Sequence, residues 1–435
     1  MTTVNYVAHP AGAFDGATGL ALPLGTASSP LVAAARAALD HGGGTVGVEG
    51  VHGGFDLGGN PGKGKSVFAA SGGDFGPLTL VGLTPDAQVG SCSIQRASGN
   101  PGLLRFESLA LRPSAGALQC LIAYQQALYP RCYVEMQECR LTAAPTGGLA
   151  SQLAAAARTW WGVKTGDGPV GSGAKWGLRL HGAVRSVALS RCTFDGFMEH
   201  GLYCDNVQQS VQVLSCVFSD CGRTGVQVVN RESDGVHPSN VPSTPETAWA
   251  LVGGCLFVNC SSYYDAAKGV WWANGSASTW AGFPGSLRLV DNRVIHTHPG
   301  GGGIVVWPDL GKVGSYLTAD GYAIGDVVLE GNRFDLLSGA KAQRQAVMLG
   351  DARSVEWHAS NVLAGTLGSI VLDHKRPVGA VRFVGYGAAS AVPEAIKAAV
   401  RLRMADLYNH RESDVTGTIV APVMAASILR LLDPH

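Results

Sequence analysis

Acidic side chains that could hydrolyse or eliminate a glycosidic bond occur near the middle of the chain. A glycosidase needs two carboxylates about 5 to 9.5 Å apart, whereas a lyase needs a base and a cation that neutralises a uronate. The candidate acids are Asp205, Glu232 and Asp234, with Asp220 nearby. The candidate cations are Arg223, Arg231 and His237. No signature motif joins these residues, so solvated loops remain the alternative and no catalytic residue is assigned.

Thiols recur at one position of a repeated pattern. The aligned positions are Cys139, Cys192, Cys216, Cys255, Asn292, Asn332 and Asn361, and a shorter column five residues further on holds Cys221 and Cys260. No Cys-x2-Cys or His pair flanks them, so neither a metal site nor a cofactor is predicted. A catalytic thiolate would need a base and exposure. We therefore expect an internal ladder of small polar and thiol side chains at a turn.

Aromatic residues fall on the outward side of the predicted strands. Strands beginning at Leu178, Leu202, Val226, Val270 and Ile304 would align Arg179, Tyr203, Gln227, Trp271 and Val305, with Trp307 in the next outward column. Outward aromatic residues can stack on sugar rings or bury a subunit interface. We predict Tyr203, Trp271 and Trp307 as glycan or interface residues, with ordinary surface as the remaining alternative.

The elements that carry these residues repeat along the chain. The segment beginning at Gly177 is followed 24 residues later by a similar one beginning at Gly201, and each has alternating apolar residues over four to six positions. This is strand periodicity, and each copy is too short to fold alone. Neither leucine-rich repeats nor propeller blades match the pattern. A period of about 24 residues built of short strands therefore predicts stacked coils.

Composition excludes several classes of protein. The chain has 435 residues with 60 Gly, 15% charged residues, and 32 Lys+Arg against 32 Asp+Glu. The zero net charge gives no attraction to nucleic acid, so none is expected as a partner. No run of 18 apolar residues occurs, so no membrane insertion is expected. The first ten residues lack the features of a secretion signal, which predicts synthesis and assembly in a cytoplasm.

The coil pattern resembles a known superfamily. Ser29 to Val48 reads as a short helix, a Gly stop and a first strand. With the repeats, this segment resembles the right-handed parallel β-helix proteins, which include pectate lyases and many phage tailspikes. The resemblance implies a mainly β fold over residues 1–377, a helix that covers the open end of the stack, and loop inserts between strands. It specifies fold better than activity.

The last part of the chain changes character after Val378. Pro393 suits the first turn of a helix, and apolar residues from Ile396 to Tyr408 recur at steps of three and four. A second short helix is predicted after Pro422. By itself this pattern predicts a small α-helical domain, residues 378–435, that closes the coil stack.

A more specific resemblance lies in the same segment. The string from Val381 to Val400 and the string Ala405-Asp-Leu-Tyr-Asn-His-Arg-Glu412 are similar to the C-terminal part of the head-tail connector (adaptor) family of long-tailed phages. The residues that carry the resemblance are Tyr386, Pro393, Glu394, Lys397, Tyr408, Arg411 and Glu412. The family's N-terminal helical part is absent, and a β-helix occupies its place. The resemblance implies a virion docking domain that forms a ring with copies of itself.

Two functions follow as expectations. The first is a non-enzymatic virion protein of a phage or phage-derived particle, which docks on the portal or another neck protein and projects its β-helix as decoration or for contact with host surface polysaccharide. The second is a tailspike polysaccharide depolymerase, either lyase or hydrolase, on the same scaffold. The symmetry of the assembly would separate them, because a ring of about a dozen copies suits an adaptor and a trimer suits a tailspike.

Overall fold

A computed structural model gives the fold of much of the chain. The structure describes residues 3–25, 27, 29–56, 77–90, 92–96, 103–112, 119–125, 133–143, 164–165, 168–169, 176–182, 184–197, 199–204, 207–229, 244–260, 264–265, 270–271, 276–296, 302–306, 317–336, 347–364, 370–372 and 378–386. The strands, numbered in chain order, form three long sheets that we call A, B and C. The chain passes from A to B to C and back to A, so one strand in each sheet makes one coil.

Sheet A has 13 strands and sheets B and C have 10 each. Sheet A contains β1 (Tyr6–His9), β2 (Gly12–Asp15), β3 (Gly44–Val48), β6 (Leu78–Gly82), β9 (Leu103–Glu107), β12 (Tyr133–Gln137), β17 (Val184–Ser190), β20 (Val207–Leu214), β23 (Trp249–Gly253), β28 (Ser286–Val290), β31 (Ile324–Glu330), β34 (Ala352–His358) and β37 (Ala380–Val384). Sheet B contains β4 (Val51–His52), β7 (Gln88–Val89), β10 (Ala110–Leu111), β13 (Arg140–Thr142), β18 (Thr193–Asp195), β21 (Val217–Ser219), β24 (Leu256–Val258), β29 (Arg293–His296), β32 (Arg333–Leu336) and β35 (Val362–Ala364). Sheet C contains β5 (Phe55–Asp56), β8 (Cys92–Arg96), β11 (Gln119–Gln125), β16 (Trp176–Gly182), β19 (His200–Cys204), β22 (Thr224–Val229), β27 (Ser276–Ala281), β30 (Gly302–Val306), β33 (Val347–Leu349) and β36 (Ile370–Leu372).

Neighbouring coils pair in parallel throughout, and within the three sheets only β1 and β2 pair antiparallel. The described strands make ten coils in succession. Two short antiparallel pairs, β14 (Lys164–Thr165) with β15 (Gly168–Pro169) and β25 (Tyr264–Asp265) with β26 (Val270–Trp271), lie in connections between sheets B and C. The mainly β, coiled architecture that the repeats predicted is confirmed, and the fold is a parallel β-helix.

The core lies inside the coil, where the three sheets face one another. Alternate residues of each strand are fully buried, because successive side chains of a strand point to opposite faces. Phe194, Phe218 and Phe257 stack from coil to coil with ring centroids 4.8 and 5.2 Å apart. Gly201 lies against this stack, and a Cβ built on it would lie 2.6 Å from a Phe218 ring carbon and 2.8 Å from the carbonyl oxygen of Gly225. The repeated glycines therefore admit the phenyl rings into the interior.

A helix and a hairpin close the N-terminal end of the stack. Helix α1 (Pro30–Asp40) starts at Ser29, whose Oγ accepts a hydrogen bond from the Val32 amide at 3.3 Å. One face of the helix is buried, including Leu31, Val32 and Leu39. The hairpin β1–β2 extends sheet A beyond the first complete coil. The predicted capping helix is thus present.

At the other end, sheet A continues one strand beyond the tenth coil. Strand β37 pairs in parallel with β34 from Ser354↔Ala380 to His358↔Val384. The predicted domain boundary at residue 378 stays a prediction, and the residues that follow it, as far as Val384, form the last strand of the coil. The predicted C-terminal helices, from residue 393 onward, lie outside the described residues.

Candidate functional site

Several predicted site residues lie outside the described residues. These are Asp205, Glu232, Asp234, Arg231, His237 and Trp307. Their assignment as acids, cations or glycan contacts stays a prediction. Asp220 and Arg223 are described, and both lie where sheet B turns into sheet C on the sixth coil.

Asp220 belongs to a buried pair of carboxyl groups with Asp195. Asp195 ends strand β18 and is stacked in register on Ser219 of β21, whose Oγ donates a hydrogen bond to Asp195 Oδ1 at 2.6 Å. Asp195 is 8% exposed and Asp220 is 6% exposed. Sequence reasoning overlooked Asp195, although the 24-residue repeat aligns it with Ser219 and so places it one coil from Asp220.

The backbone at this corner explains why a short polar residue occupies position 220. Asp220 and Asn259 have φ of 51°. Gly196 occupies the equivalent position one coil earlier, with φ of 73°. This left-handed conformation is accessible to Gly, Asn and Asp at low cost. The side chain of Asn259 forms a hydrogen bond with the Asp220 carboxyl group.

Burial and the neighbouring acid change the proton affinity of both groups. Burial, together with the charge of Asp195, raises the pKa of Asp220 to about 7, although the Asn259 hydrogen bond acts in the opposite direction. Burial also raises the pKa of Asp195, against the hydrogen bond from Ser219 and the charge of Arg140. A carboxyl group that is half protonated near neutral pH can donate a proton, which is the property required of a general acid.

The outward column of sheet C differs from the predicted one at a single position. Arg179, Tyr203 and Gln227 are register partners on successive coils, as the repeat predicted. Gln227 pairs next with Thr279 of β27, and Thr279 pairs with Val305. Trp271 instead lies on β26, opposite Tyr264 of the antiparallel pair β25–β26. The placement of Trp271 in the coil column was therefore wrong, because the pattern starting at Val270 belongs to a hairpin within the connection.

Tyr203 lies on the outer face but its ring is covered. Leu202 and Cys204 on either side of it are fully buried inward, and Tyr203 itself is only 7% exposed. The ring of His200 lies 5.2 Å from the Tyr203 ring centroid, and the guanidinium carbon of Arg179 lies 5.9 Å from it. The role of Tyr203 in glycan or interface contact stays a prediction. In this arrangement the ring supports its neighbours and offers little open face.

Arg179 is the cation of this group, which we call the sheet C cluster (Trp176, Arg179, His200 and Tyr203). Its guanidinium carbon lies 4.3 Å from the ring centroid of Trp176, a cation–π arrangement. Beside the cluster, Glu199 Oε2 lies 3.9 Å from Arg223 and 4.0 Å from His200. Trp176 was overlooked in the sequence because it occupies the first position of its strand, where the alternation is not yet regular.

The cysteine column forms the internal ladder that the sequence predicted. Cys139, Cys192, Cys216 and Cys255 are buried, and each thiol donates a hydrogen bond to the carbonyl oxygen two residues before it at 3.3 to 3.5 Å. In the second column, complete burial and contact with Cys260 raise the pKa of the Cys221 thiol well above its usual range. In the first column, hydrogen bonds from Cys139 and Cys216 lower the pKa of the Cys192 thiol, and a hydrogen bond from Cys216 lowers that of Cys255. All of these thiols are buried, which favours a structural role over that of an exposed catalytic thiolate.

The amide column continues the same ladder. Asn292 Nδ2 donates to Asn332 Oδ1 at 2.9 Å, and Asn332 Nδ2 donates to Asn361 Oδ1 at 3.0 Å. Each amide also donates to a backbone carbonyl of the preceding coil, such as Leu289 for Asn332 at 2.7 Å. The residue before the ladder position is left-handed in most coils, as in Arg191 and Asp291. The ladder therefore fixes the turn from sheet A to sheet B.

One residue of the predicted docking domain is described. Trp357 Nε1 donates to the Tyr386 hydroxyl at 2.9 Å, and the Tyr386 ring packs edge-on against Phe383 with a centroid distance of 6.2 Å. Burial raises the pKa of Tyr386, against the hydrogen bond from Trp357. The other predicted docking residues are Pro393, Glu394, Lys397, Tyr408, Arg411 and Glu412, and they lie outside the described residues.

Metal-ligand clusters and membrane-spanning helices are absent from the described ranges. There, no three His, Cys, Asp or Glu side chains converge as a metal site. None of the helices in that part of the chain is long and apolar enough to cross a bilayer. No known protein-family model matches the chain, and no curated protein matches its sequence.

Proposed function

We propose that the chain is a structural protein of a phage or phage-derived particle, with residues 378–435 docking on the portal or another neck ring and the β-helix projecting from it. The β-helix decorates the particle or contacts host surface polysaccharide. The proposal rests on the resemblance of the C-terminal segment to head-tail connectors. Its localisation is the virion, assembled in the host cytoplasm with several copies in a ring.

The structural observation that supports the proposal is the seam at β37, the last strand of sheet A. The first strand of the connector-like segment, Ala380–Val384, is also the last strand of sheet A, with five register pairs to β34. Tyr386 then packs on Phe383 and accepts a hydrogen bond from Trp357. Because the docking segment shares strand β37 with the coil, the start of that segment has a fixed orientation relative to the coil. A fixed orientation suits a component that projects from a virion.

Co-assembly with neck proteins tests this function. The full chain and a chain ending at residue 386 are each co-expressed with the portal and neck proteins of the same genome, and particles are isolated by density. We expect the full chain to sediment with rings of portal or neck protein and the shortened chain to remain in the free fraction. Equal incorporation of the two chains, or no incorporation of the full chain, would contradict the proposal.

A polysaccharide depolymerase remains a second candidate, and the carboxyl pair Asp195–Asp220 favours it. In this reading the pKa of about 7 lets Asp220 supply a proton to the leaving oxygen at neutral pH while Asp195 acts as the carboxylate partner. The low exposure of both groups opposes it, because a polymer must reach the proton donor.

Depolymerase activity is tested on host capsule and lipopolysaccharide by assaying new reducing ends and unsaturated uronates. Asp220→Asn and Asp195→Asn should each abolish product if the pair is catalytic, while Asp86→Asn on the exposed surface should not. Activity that survives both substitutions would exclude this pair, and Asp205, Glu232 and Asp234 would then be the acids to replace.

A further inference from the structure

Among the described residues, most arginines on the outer faces of the coil are paired with carboxylates. Arg191 lies 2.7 Å from Glu138, Arg353 lies 2.7 Å from Asp326, and Arg382 lies 3.2 Å from Glu356. Arg105, Arg288, Arg293 and Arg333 have similar partners. Most of these pairs join adjacent strands, whereas Arg333–Asp335 lies within β32, and in each pair the arginine already has a carboxylate partner.

Arg179 is an exception on the outer face of sheet C. Within the described part of the chain it has no carboxylate partner, and its Nε is buried without a hydrogen-bond acceptor. Its guanidinium carbon instead lies 4.3 Å from the Trp176 ring and 5.9 Å from the Tyr203 ring. Contact with two aromatic rings fixes the orientation of the guanidinium plane and removes water from its faces.

The residues in register with Arg179 along sheet C carry no charge, whereas His200 and Glu199 lie to the side of this row. Its register partners are Ile122 on one side and Tyr203 on the other, followed by Gln227 and Thr279. Successive coils are about 4.7 to 4.9 Å apart, so this row places one side chain per coil along the axis. A cation followed by hydrogen-bonding side chains at regular steps suits a chain of hydroxylated units that carries an anionic group.

We propose that Arg179 forms an oxyanion-binding subsite on the outer face of sheet C, and that its ligand is the carboxylate or sulfate group of an acidic polysaccharide. The guanidinium donates hydrogen bonds through its terminal nitrogens to the two oxygens of the group. Trp176 and Tyr203 hold the guanidinium in place as positioning residues. This inference rests on the polysaccharide contact in the proposed function and is independent of the docking segment.

Binding is measured on the full chain by calorimetry with four probes. Hyaluronan carries carboxylates, carboxyl-reduced hyaluronan is its neutral counterpart, and dextran sulfate is compared with dextran. We expect one or both acidic polymers to bind and the neutral counterparts not to bind. Binding only of hyaluronan identifies a carboxylate ligand, and binding only of dextran sulfate identifies a sulfate ligand.

Substitutions separate the subsite from general charge attraction. Arg179→Gln should weaken binding of the acidic polymer about tenfold or more, and Trp176→Ala should weaken it by freeing the guanidinium. Arg382→Gln is the matched control, because Arg382 is exposed and paired on sheet A. Circular dichroism and the urea midpoint of each variant show whether it is folded. If Arg179→Gln is not folded, the milder Arg179→Lys is measured in its place.

Three results would overturn the inference. They are equal binding by Arg179→Gln and the unmodified chain, equal loss of binding in Arg382→Gln, and absence of binding to both acidic polymers at millimolar repeat-unit concentration. If neutral dextran binds equally well to the unmodified chain and to Arg179→Gln, the chain contacts polysaccharide, but Arg179 is not the binding subsite. Co-assembly with neck proteins is measured separately, so failure here leaves the docking proposal to its own experiment.

Discussion

Asp220→Asn should stabilise the protein above neutral pH and have little effect in acid. The pKa of Asp220 is raised from an ordinary value of 3.8 to about 7, because burial and the Asp195 charge penalise the ionised form. The folded state therefore holds the proton more tightly than the unfolded state, and stability falls as pH rises from about 4 to about 7. Above pH 7 the whole penalty applies. Asparagine removes the charge and also accepts the left-handed backbone at this position.

The magnitude follows from the two pKa values. Their difference, at 1.36 kcal/mol for each pKa unit, corresponds to about 4 kcal/mol at pH 8. At pH 4 the same linkage gives less than about 1 kcal/mol. Because removing the Asp220 charge also relieves Asp195, and because the amide forms a weaker contact with Asn259, we expect an observed gain of about 2 to 4 kcal/mol at pH 8.

Urea unfolding followed by tryptophan fluorescence, at pH 4 and pH 8, measures the effect as a shift in the midpoint at constant slope. The control is Asp86→Asn, which replaces an exposed carboxylate and should shift neither midpoint. A gain of equal size at both pH values, or a loss of stability at pH 8, would refute the linkage argument.

Three further substitutions test the coil and its seam. Asn332→Ala should lower the free energy of unfolding by about 2 to 4 kcal/mol, because it leaves amides in neighbouring coils without partners; a urea midpoint within error of the unmodified chain would contradict this. Gly201→Ala should lower the free energy of unfolding by more than about 1 kcal/mol, because the added Cβ would collide with the Phe218 ring. Gly53→Ala is the control, because a Cβ there meets no atom within 4 Å and should leave the urea midpoint unchanged. Tyr386→Phe removes the hydrogen bond from Trp357. Amide hydrogen exchange in β37 should therefore become about fivefold faster, while exchange in β20 stays unchanged. An equal change of exchange rate in both strands would contradict a local effect.

The coil could be predicted from the sequence because the same residue types recur at one position of each repeat. Cysteine and asparagine at one position of each copy indicated a turn, and hydrogen bonds now join Cys255 to Asn292 and Asn292 to Asn332. Alternation of apolar residues predicted the inward faces equally well. Both patterns lie within single strands and the turns beside them, so they can be recognised without knowing how the strands are connected.

The candidate site was less predictable, because it depends on the connections. Trp271 was placed in a coil strand since its neighbours alternate, but the coil strand is Ser276–Ala281 and Trp271 pairs with Tyr264. Trp280 lies in that strand and is buried in the core. The proton affinity of Asp220 depends on burial by several coils, which no single repeat reveals. The contact of Arg179 with Trp176 likewise depends on an irregular strand start.

The seam at β37 has a mechanical consequence. Strand β37 and strand β34 run parallel and share five register pairs, so tension applied to the chain beyond Tyr386 along the strand direction loads the hydrogen bonds between them together, in shear. Tension across the sheet would break them one after another. The protein should therefore resist a force along its last strand better than a force across the sheet, which peels the strand away from β34.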